Sequence, residues 1–296
     1  MNEKIVVNLL SDDQPYQLAQ AESARSVAER LGVNLEIQFN GTSLITQTKQ
    51  LTEQIELPEE NRPDGLIVHS VTMDGLEGLA RRAVQAGIGW VLIESIPPYL
   101  DFLAEEFPKV PISTATDDNV EMGRMQGRQC QLLLPKGGRI LYLEGPGASG
   151  STILRRKGFM EAIGRSAITV GKTLAADWTS AGIEISAGAW LRLKTSFRPD
   201  LVASQNDNMA LGCRNAMLSL YPKWADIPVL GIDGLAREGV RMVKEGVLAA
   251  TVVRPLLAGF AVETMVAGLR SQSTPARVSP PIESFPSYED LETRRR

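Results

Sequence analysis

Apolar positions along this chain follow two alternating patterns. Short runs of β-branched and other apolar residues, beginning with Ile5 to Leu10, give way to stretches in which apolar side chains recur at helical spacing. After the first run, Ala24, Val27, Ala28 and Leu31 stand at i, i+3, i+4 and i+7, one face of a helix that Gly32 is placed to close. The cycle repeats through a strand at Val33 to Phe39, a helix carrying Leu44, Thr48, Leu51 and Ile55, and a strand at Leu66 to His69. A helix carrying Leu76, Leu79, Ala80 and Ala83 and a strand at Ile88 to Ile93 follow. Pro108 to Ile112 reads as a connection, after which the same alternation restarts near Asp117. It predicts a helix from Val120 to Leu134, with Val120, Gly123, Gly127, Cys130 and Leu134 on one side. Further strands are expected at Arg139 to Leu143, Ile168 to Leu174, Leu201 to Ser204, Val229 to Ile232 and Ala249 to Val253. A last helix is expected from about Pro255, a residue suited to a helix's first position, to Gly268. The tail, with Pro275, Pro280, Pro281 and Pro286, reads as an extended connector.

Repeated strand–helix units imply parallel sheets covered by helices, so the fold class is α/β in two similar halves, either two independent domains or two lobes that exchange chain segments. Ligands of such open sheets bind outside the carboxyl ends of the strands, which directs attention to the loops that follow them. These are Ser11 to Tyr16, Ser70 to Asp74, Glu94 to Pro98, Glu144 to Ser151, Gln205 to Asn208 and Asp233 to Gly234.

Composition narrows the chemistry. The 296 residues are 43% hydrophobic and 22% charged, enough for two cores and typical of a globular chain. A net charge of −4 supplies no overall field for nucleic acid or anionic lipid, and the basic run Arg294 to Arg296 is a terminal, solvated stretch. Cys130 and Cys213 sit in apolar helical patterns and are expected as buried thiols. With His69 the only histidine, no Cys/His metal cluster can be assembled, and this residue reads as an ordinary strand-end histidine. No apolar run reaches the length of about 18 residues that a membrane-spanning helix needs, so no membrane insertion is expected. Met1 to Leu10 enters a strand directly without an export-signal pattern. The sequence as written is therefore expected in the cytoplasm, or in the periplasm if a leader has been removed.

Gly145-Pro-Gly147-Ala-Ser-Gly150 fits the dinucleotide fingerprint G-x-G-x-x-G after a strand, with Asp177 near the end of the next strand as the ribose acceptor. Pro146 removes one of the amide donors that such a loop needs, and the motif sits mid-chain. Gln205-Asn206-Asp207-Asn208 opens a helix with Asp207 as the expected N-cap, more polar residues than capping requires. Asp233 stands at a strand's carboxyl end between glycines, and Arg155 lies early in a helix, where a cation opposes the helix dipole.

The segments Asp118-Asn119 with Gly123, Arg155-Arg-Lys-Gly158-Phe159, Gln205-Asn-Asp-Asn-Met-Ala-Leu-Gly212, Gly231-Ile-Asp-Gly234 and Ala250-Thr-Val-Val-Arg-Pro255 with Gly259 have a recognisable order. Together they resemble the type I periplasmic-binding-protein-like family, which includes the ribose-binding proteins and the effector domains of lactose-repressor-like regulators. The resemblance spans nearly the whole chain. It implies two Rossmann-like lobes joined by three hinge crossings, near Ala115 to Asp117, Val252 to Arg254 and Ala276 to Pro280, that close on a small ligand, usually a sugar. The first lobe would then comprise residues 1–115 and 254–276, and the second 116–253 and 277–296. Arg155, Asn206 and Asp233 fall on matching ligand positions, and Tyr16 or a neighbour would supply a stacking group. With Asp13, Ser70, Glu94, Trp178 and Arg254 they form the expected ligand-binding set. Carboxylate, amide and guanidinium groups with an aromatic face suit a polyol. Glu94-Ser95, Arg254 and Asp12-Asp-Gln-Pro-Tyr16 depart from the sugar binders' usual residues; a second arginine beside Arg155 raises the expectation of an acidic sugar or other anion, and the opposing reading is that Glu94 neutralises Arg254 across the hinge and leaves a site for a neutral polyol.

The leading expectation is a non-catalytic ligand sensor or solute-binding protein for a sugar, polyol or sugar acid, serving a transporter or signalling partner. It needs no cofactor and no metal. Only about three residues precede the first strand, where a DNA-reading repressor would carry a helix-turn-helix headpiece of about 60 residues, so no direct nucleic-acid contact is expected. The alternative from a different class is a dinucleotide-dependent enzyme using Gly145 to Gly150.

Overall fold

The computed structural model describes residues 3–72, 75–193, 197–271 and 273–294; Asp74 of the second candidate loop and the terminal Arg295 and Arg296 lie outside them. The chain forms two compact units and passes between them three times. One unit comprises Met1–Asp117 and Pro255–Pro280, and the other Asp118–Arg254 and Pro281–Arg296.

In the first unit β1 (Lys4–Leu9), α1 (Pro15–Leu31), β2 (Asn34–Phe39), α2 (Leu44–Ile55), β3 (Gly65–His69), α3 (Glu77–Gln85), β4 (Gly89–Ile93), α4 (Tyr99–Glu106) and β5 (Ile112–Ala115) alternate. Five of the six residues of β1 and all of β3, β4 and β5 are buried, as strands covered by helices on both faces must be. Gly32 closes α1 in a left-handed conformation, φ 70°, and donates its amide to the Ala28 and Glu29 carbonyls.

The second unit runs through α5 (Asn119–Leu133), β6 (Gly138–Glu144), α6 (Gly150–Ile163), β7 (Ile168–Ala175), α7 (Ser180–Arg192), β8 (Leu201–Ser204), α8 (Asp207–Leu220), β9 (Val229–Asp233), α9 (Gly239–Lys244) and β10 (Ala250–Val253). Helices α5 and α6 meet backbone to backbone: a side chain at Gly123 would run into the Arg155 carbonyl, and one at Gly158 into the Val120 carbonyl. Cys130 and Cys213 are buried free thiols, and burial pushes the Cys213 thiol up to about 12.

The chain then returns to the first unit as α10 (Leu257–Ser271) and β11 (Arg277–Val278), and ends in the second as β12 (Glu283–Phe285) and α11 (Tyr288–Arg294). The first sheet has the order β11-β5-β4-β3-β1-β2 and the second β12-β10-β9-β8-β6-β7. All pairings are parallel except β12 against β10. In each sheet the strand order reverses once, between β1 and β3 and between β6 and β8, which marks where an open α/β sheet binds its ligand.

Four local expectations are corrected. The connection before Asp117 contains a strand, β5, whose four residues carry too little apolar periodicity to announce it. Helix α10 begins at Leu257, so Pro255 precedes it rather than occupying its first position. The tail is not a free connector: β11 and β12 each join a sheet, and Leu291 of α11 is buried in the second unit's core. The pairing of Arg277 and Val278 with β5 also keeps the first unit's chain to Pro280 rather than 276, while Arg254 belongs with the second unit. Among the described residues no helix is long and apolar enough to cross a membrane.

Candidate functional site

The carboxyl end of the second sheet carries the densest polar cluster. Arg155 points inward from α6 and is 2% exposed. Its Nε donates to Asn119 Oδ1 at 2.8 Å and an Nη donates to the Gln205 carbonyl at 2.5 Å. The glycine contacts between α5 and α6 bring Asn119 and Arg155 this close. The guanidinium also stands 5.7 Å from the centroid of the Trp178 ring, within cation–π range.

Trp178 follows β7 with φ 73°, a conformation that non-glycine residues seldom adopt. It is fixed from two sides. Asn206 Nδ2 donates to its carbonyl at 2.8 Å, and its indole lies where a side chain at Gly145 would be. The N-cap of α8 is Asn206, whose Oδ1 accepts from the Met209 amide at 2.8 Å, and not Asp207 as expected. Asp207 is instead turned under β9 and fully buried. Burial, and then the neighbouring Asp233 carboxylate, push its carboxyl well above the usual range.

Asp233 ends β9 with φ 118°, and its Oδ1 lies 3.7 Å from an Arg254 guanidinium nitrogen. Both side chains are largely buried. Arg254 is further tied to the strand end by its amide, which donates to the Asp233 carbonyl at 3.2 Å.

In the first unit the predicted residues lie at the ends of adjacent strands β1, β3 and β4. Asp13 is exposed and accepts from the Ser11 hydroxyl. Tyr16 is in the first turn of α1 and largely buried; its hydroxyl donates to the Pro255 carbonyl at 3.0 Å and accepts from Gln20 at 2.8 Å. Ser70 donates to the Thr72 carbonyl at 2.5 Å. Its loop is held by Gln47, which accepts from the Val71 amide and donates to the His69 carbonyl. Glu94, φ 63°, places a carboxylate oxygen 3.7 Å from His69 Nε2.

Four non-glycine residues have positive φ among the described residues, and Glu94, Trp178 and Asp233 are three of them. Strained backbone collects at ligand sites because the fold can hold a side chain where relaxed backbone would not place it. Sequence reasoning missed four supports: His69, which reads as a strand-end residue, Asn119 and Gln205, which stand in motifs without a role, and Asp207, which reads as a helix cap. Only Asp207 and Gln205 carried a signal, as more polar residues than one helix cap uses.

The Gly145–Gly150 loop has no dinucleotide geometry. The Gly145 amide already donates to Gln205 Oε1 at 3.0 Å, Pro146 has no amide hydrogen, and Ser149 donates to the Pro146 carbonyl at 2.9 Å. Gly145 is small because Trp178 packs on it. Asp177, the supposed ribose acceptor, accepts from the Thr179 hydroxyl and amide, which hold its carboxyl below the usual range. Guanidinium, amide, carboxylate and indole groups at one sheet end can exchange hydrogen bonds with hydroxyl groups and cover an apolar face.

A family model described as periplasmic binding protein domain matches residues 5–269. A protein of Rhizobium meliloti named for rhizopine binding is 24% identical over 217 residues, which span 68% of this chain and 63% of that protein. A solute-binding protein of an ABC transporter from Actinobacillus succinogenes 130z, solved with bound D-allose, superposes with a TM-score of 0.85 at 18% identity, covering 99% of this chain and 100% of that one. The binding component of the arabinose transporter from Shewanella sp. ANA-3, solved with L-arabinofuranose, has a TM-score of 0.83 at 19% identity, covering 99% and 95%. At these identities the two solved structures establish likeness of fold.

Proposed function

The chain belongs to the periplasmic binding protein domain family, and we propose that it is a non-catalytic receptor for a small sugar, polyol or sugar acid. The observation that carries this reading is the strand-end constellation of the second unit. Arg155, Trp178, Asn206, Asp233 and Arg254 stand there, Trp178 and Asp233 on backbone held in strained conformations. Its donors and acceptors match vicinal hydroxyls, and the indole offers the flat surface that a sugar ring's C–H face covers. Asp13, Ser70 and Glu94 at the ends of β1, β3 and β4 supply the first unit's contacts, with Tyr16 beside them. The ligand-bound form is what a membrane transporter or a signalling receptor reads. The sugars bound to the fold relatives support the ligand class, and the functional partner is of the transporter or sensor kind.

A thermal-shift screen over L-arabinose, D-allose, other pentoses and hexoses, inositols and sugar acids tests this, followed by calorimetry on each hit. A saturable shift with a neutral or acidic carbohydrate is the expected result. No shift from any member at millimolar concentration overturns the reading.

A further inference from the structure

We propose that Asp207 is a positioning residue that sets the Asp233 turn for ligand binding; the ligand part of this inference rests on reading Asp233 as a sugar contact. Asp207 starts α8, yet its carboxylate serves two other elements. Oδ2 accepts from the Gly234 amide at 2.7 Å, the residue directly after Asp233, and Oδ1 accepts from the Thr251 hydroxyl of β10 at 2.7 Å. The carboxylate therefore clamps the end of β9 to β10 at the point where Asp233 takes its φ of 118° and Arg254 approaches.

Two further residues are shaped around it. A side chain at either Gly231 or Gly239 would overlap the Asp207 carboxyl group, so the seat is closed by glycines from β9 and from α9. Four segments, β9, the turn at Gly234, α9 and β10, thus meet on one buried acidic group. Besides Asp233, the acidic group near this seat is Glu238, just before α9, whose own carboxyl is raised by burial. A fully buried carboxyl beside another carboxylate is a costly arrangement for stability alone. Its geometry is explained by what it holds, the amide that follows a strained binding residue.

The test uses the full chain with Asp207→Asn, which keeps the shape and turns one of the two acceptor oxygens into a donor. Thr251→Val, which removes one donor and keeps the volume, is the companion should the first fail to fold. Amide hydrogen exchange at Gly234 in the free protein should quicken by about tenfold or more in Asp207→Asn, while Val202 in β8 keeps its protection. L-arabinose and D-allose affinities are then measured in a double-mutant cycle with Asp233→Ala, or with Asp233→Asn if the alanine variant no longer binds. A loss of about tenfold or more in the unaltered background, falling to less than about twofold once Asp233 is replaced, is expected if Asp207 acts through it. Unchanged Gly234 protection, or an equal loss in both backgrounds, overturns the inference. If neither sugar binds the unaltered protein, the sugar reading loses support and the exchange measurement alone decides what Asp207 does.

Discussion

Asp233 is held at φ 118°, where a non-glycine residue pays of the order of 1–3 kcal/mol in backbone strain. Replacing it with alanine removes the carboxylate and keeps the strain, whereas glycine removes both. Asp233→Gly should therefore be more stable than Asp233→Ala by about 1 kcal/mol in denaturant titration, while both lose about 1–3 kcal/mol of sugar affinity. Asn206→Ala should lose similar affinity and also about 1 kcal/mol of stability, because the same amide caps α8 and holds Trp178. A stability cost was not foreseen for Asn206, since adjacent Asn and Asp compete equally for the cap and sequence does not choose between them. Arg254 raised the expectation of an anionic ligand, yet Asp233 stands beside it. Arg254→Gln should weaken neutral and acidic sugars alike; a loss confined to acidic ones would restore direct anion recognition. Asp207 adds a pH signature. Its folded carboxyl is raised by burial and Asp233, so the folded state binds more protons than the unfolded chain, whose aspartates titrate near about 3.9. Its stabilising contribution is complete below that value and is lost as pH rises toward the raised one. Melts across this range should show a flatter profile for Asp207→Asn than for the unaltered protein, and equal slopes would remove the buried titration.

Helix packing explains how the residues arrive. Gly123 and Gly158 let α5 and α6 touch along their backbones, and this contact seats Arg155 against Asn119. Gly158→Ala should lower stability by about 1–3 kcal/mol through overpacking and weaken sugar binding by displacing Arg155; wild-type affinity in a folded variant would detach the helix contact from the site. The helix was legible because its glycines recur on one apolar side, and the long buried strands because both faces are apolar. The two- and three-residue β11 and β12 were not, being too short to show a period, and neither was β5, although β8 and β10, also of four residues, were. The same limit applies to the site. Arg155, Asn206 and Asp233 stand in local motifs, but the partners of Asp207 lie 27 and 44 residues away, and only the sheet brings them to it. Trp178 became legible as a platform only when Gly145 was seen beneath its ring, a contact no spacing rule contains.

At the scale of the molecule, three chain passages join two units whose sheets share one strand order, each with its own reversal point. Each unit has its own cores, built from residues of that unit alone. Candidate contacts stand at strand ends in each unit, Glu94 and Ser70 in the first and Asp233 and Arg155 in the second. If both sets take part, Asp233→Ala and Glu94→Ala should each weaken binding of the same sugar by about 1–3 kcal/mol in calorimetry. A loss confined to Asp233→Ala, with Glu94→Ala binding as tightly as the unaltered protein, would leave a receptor whose ligand engages one unit only, and the first-unit residues would then drop out of the site.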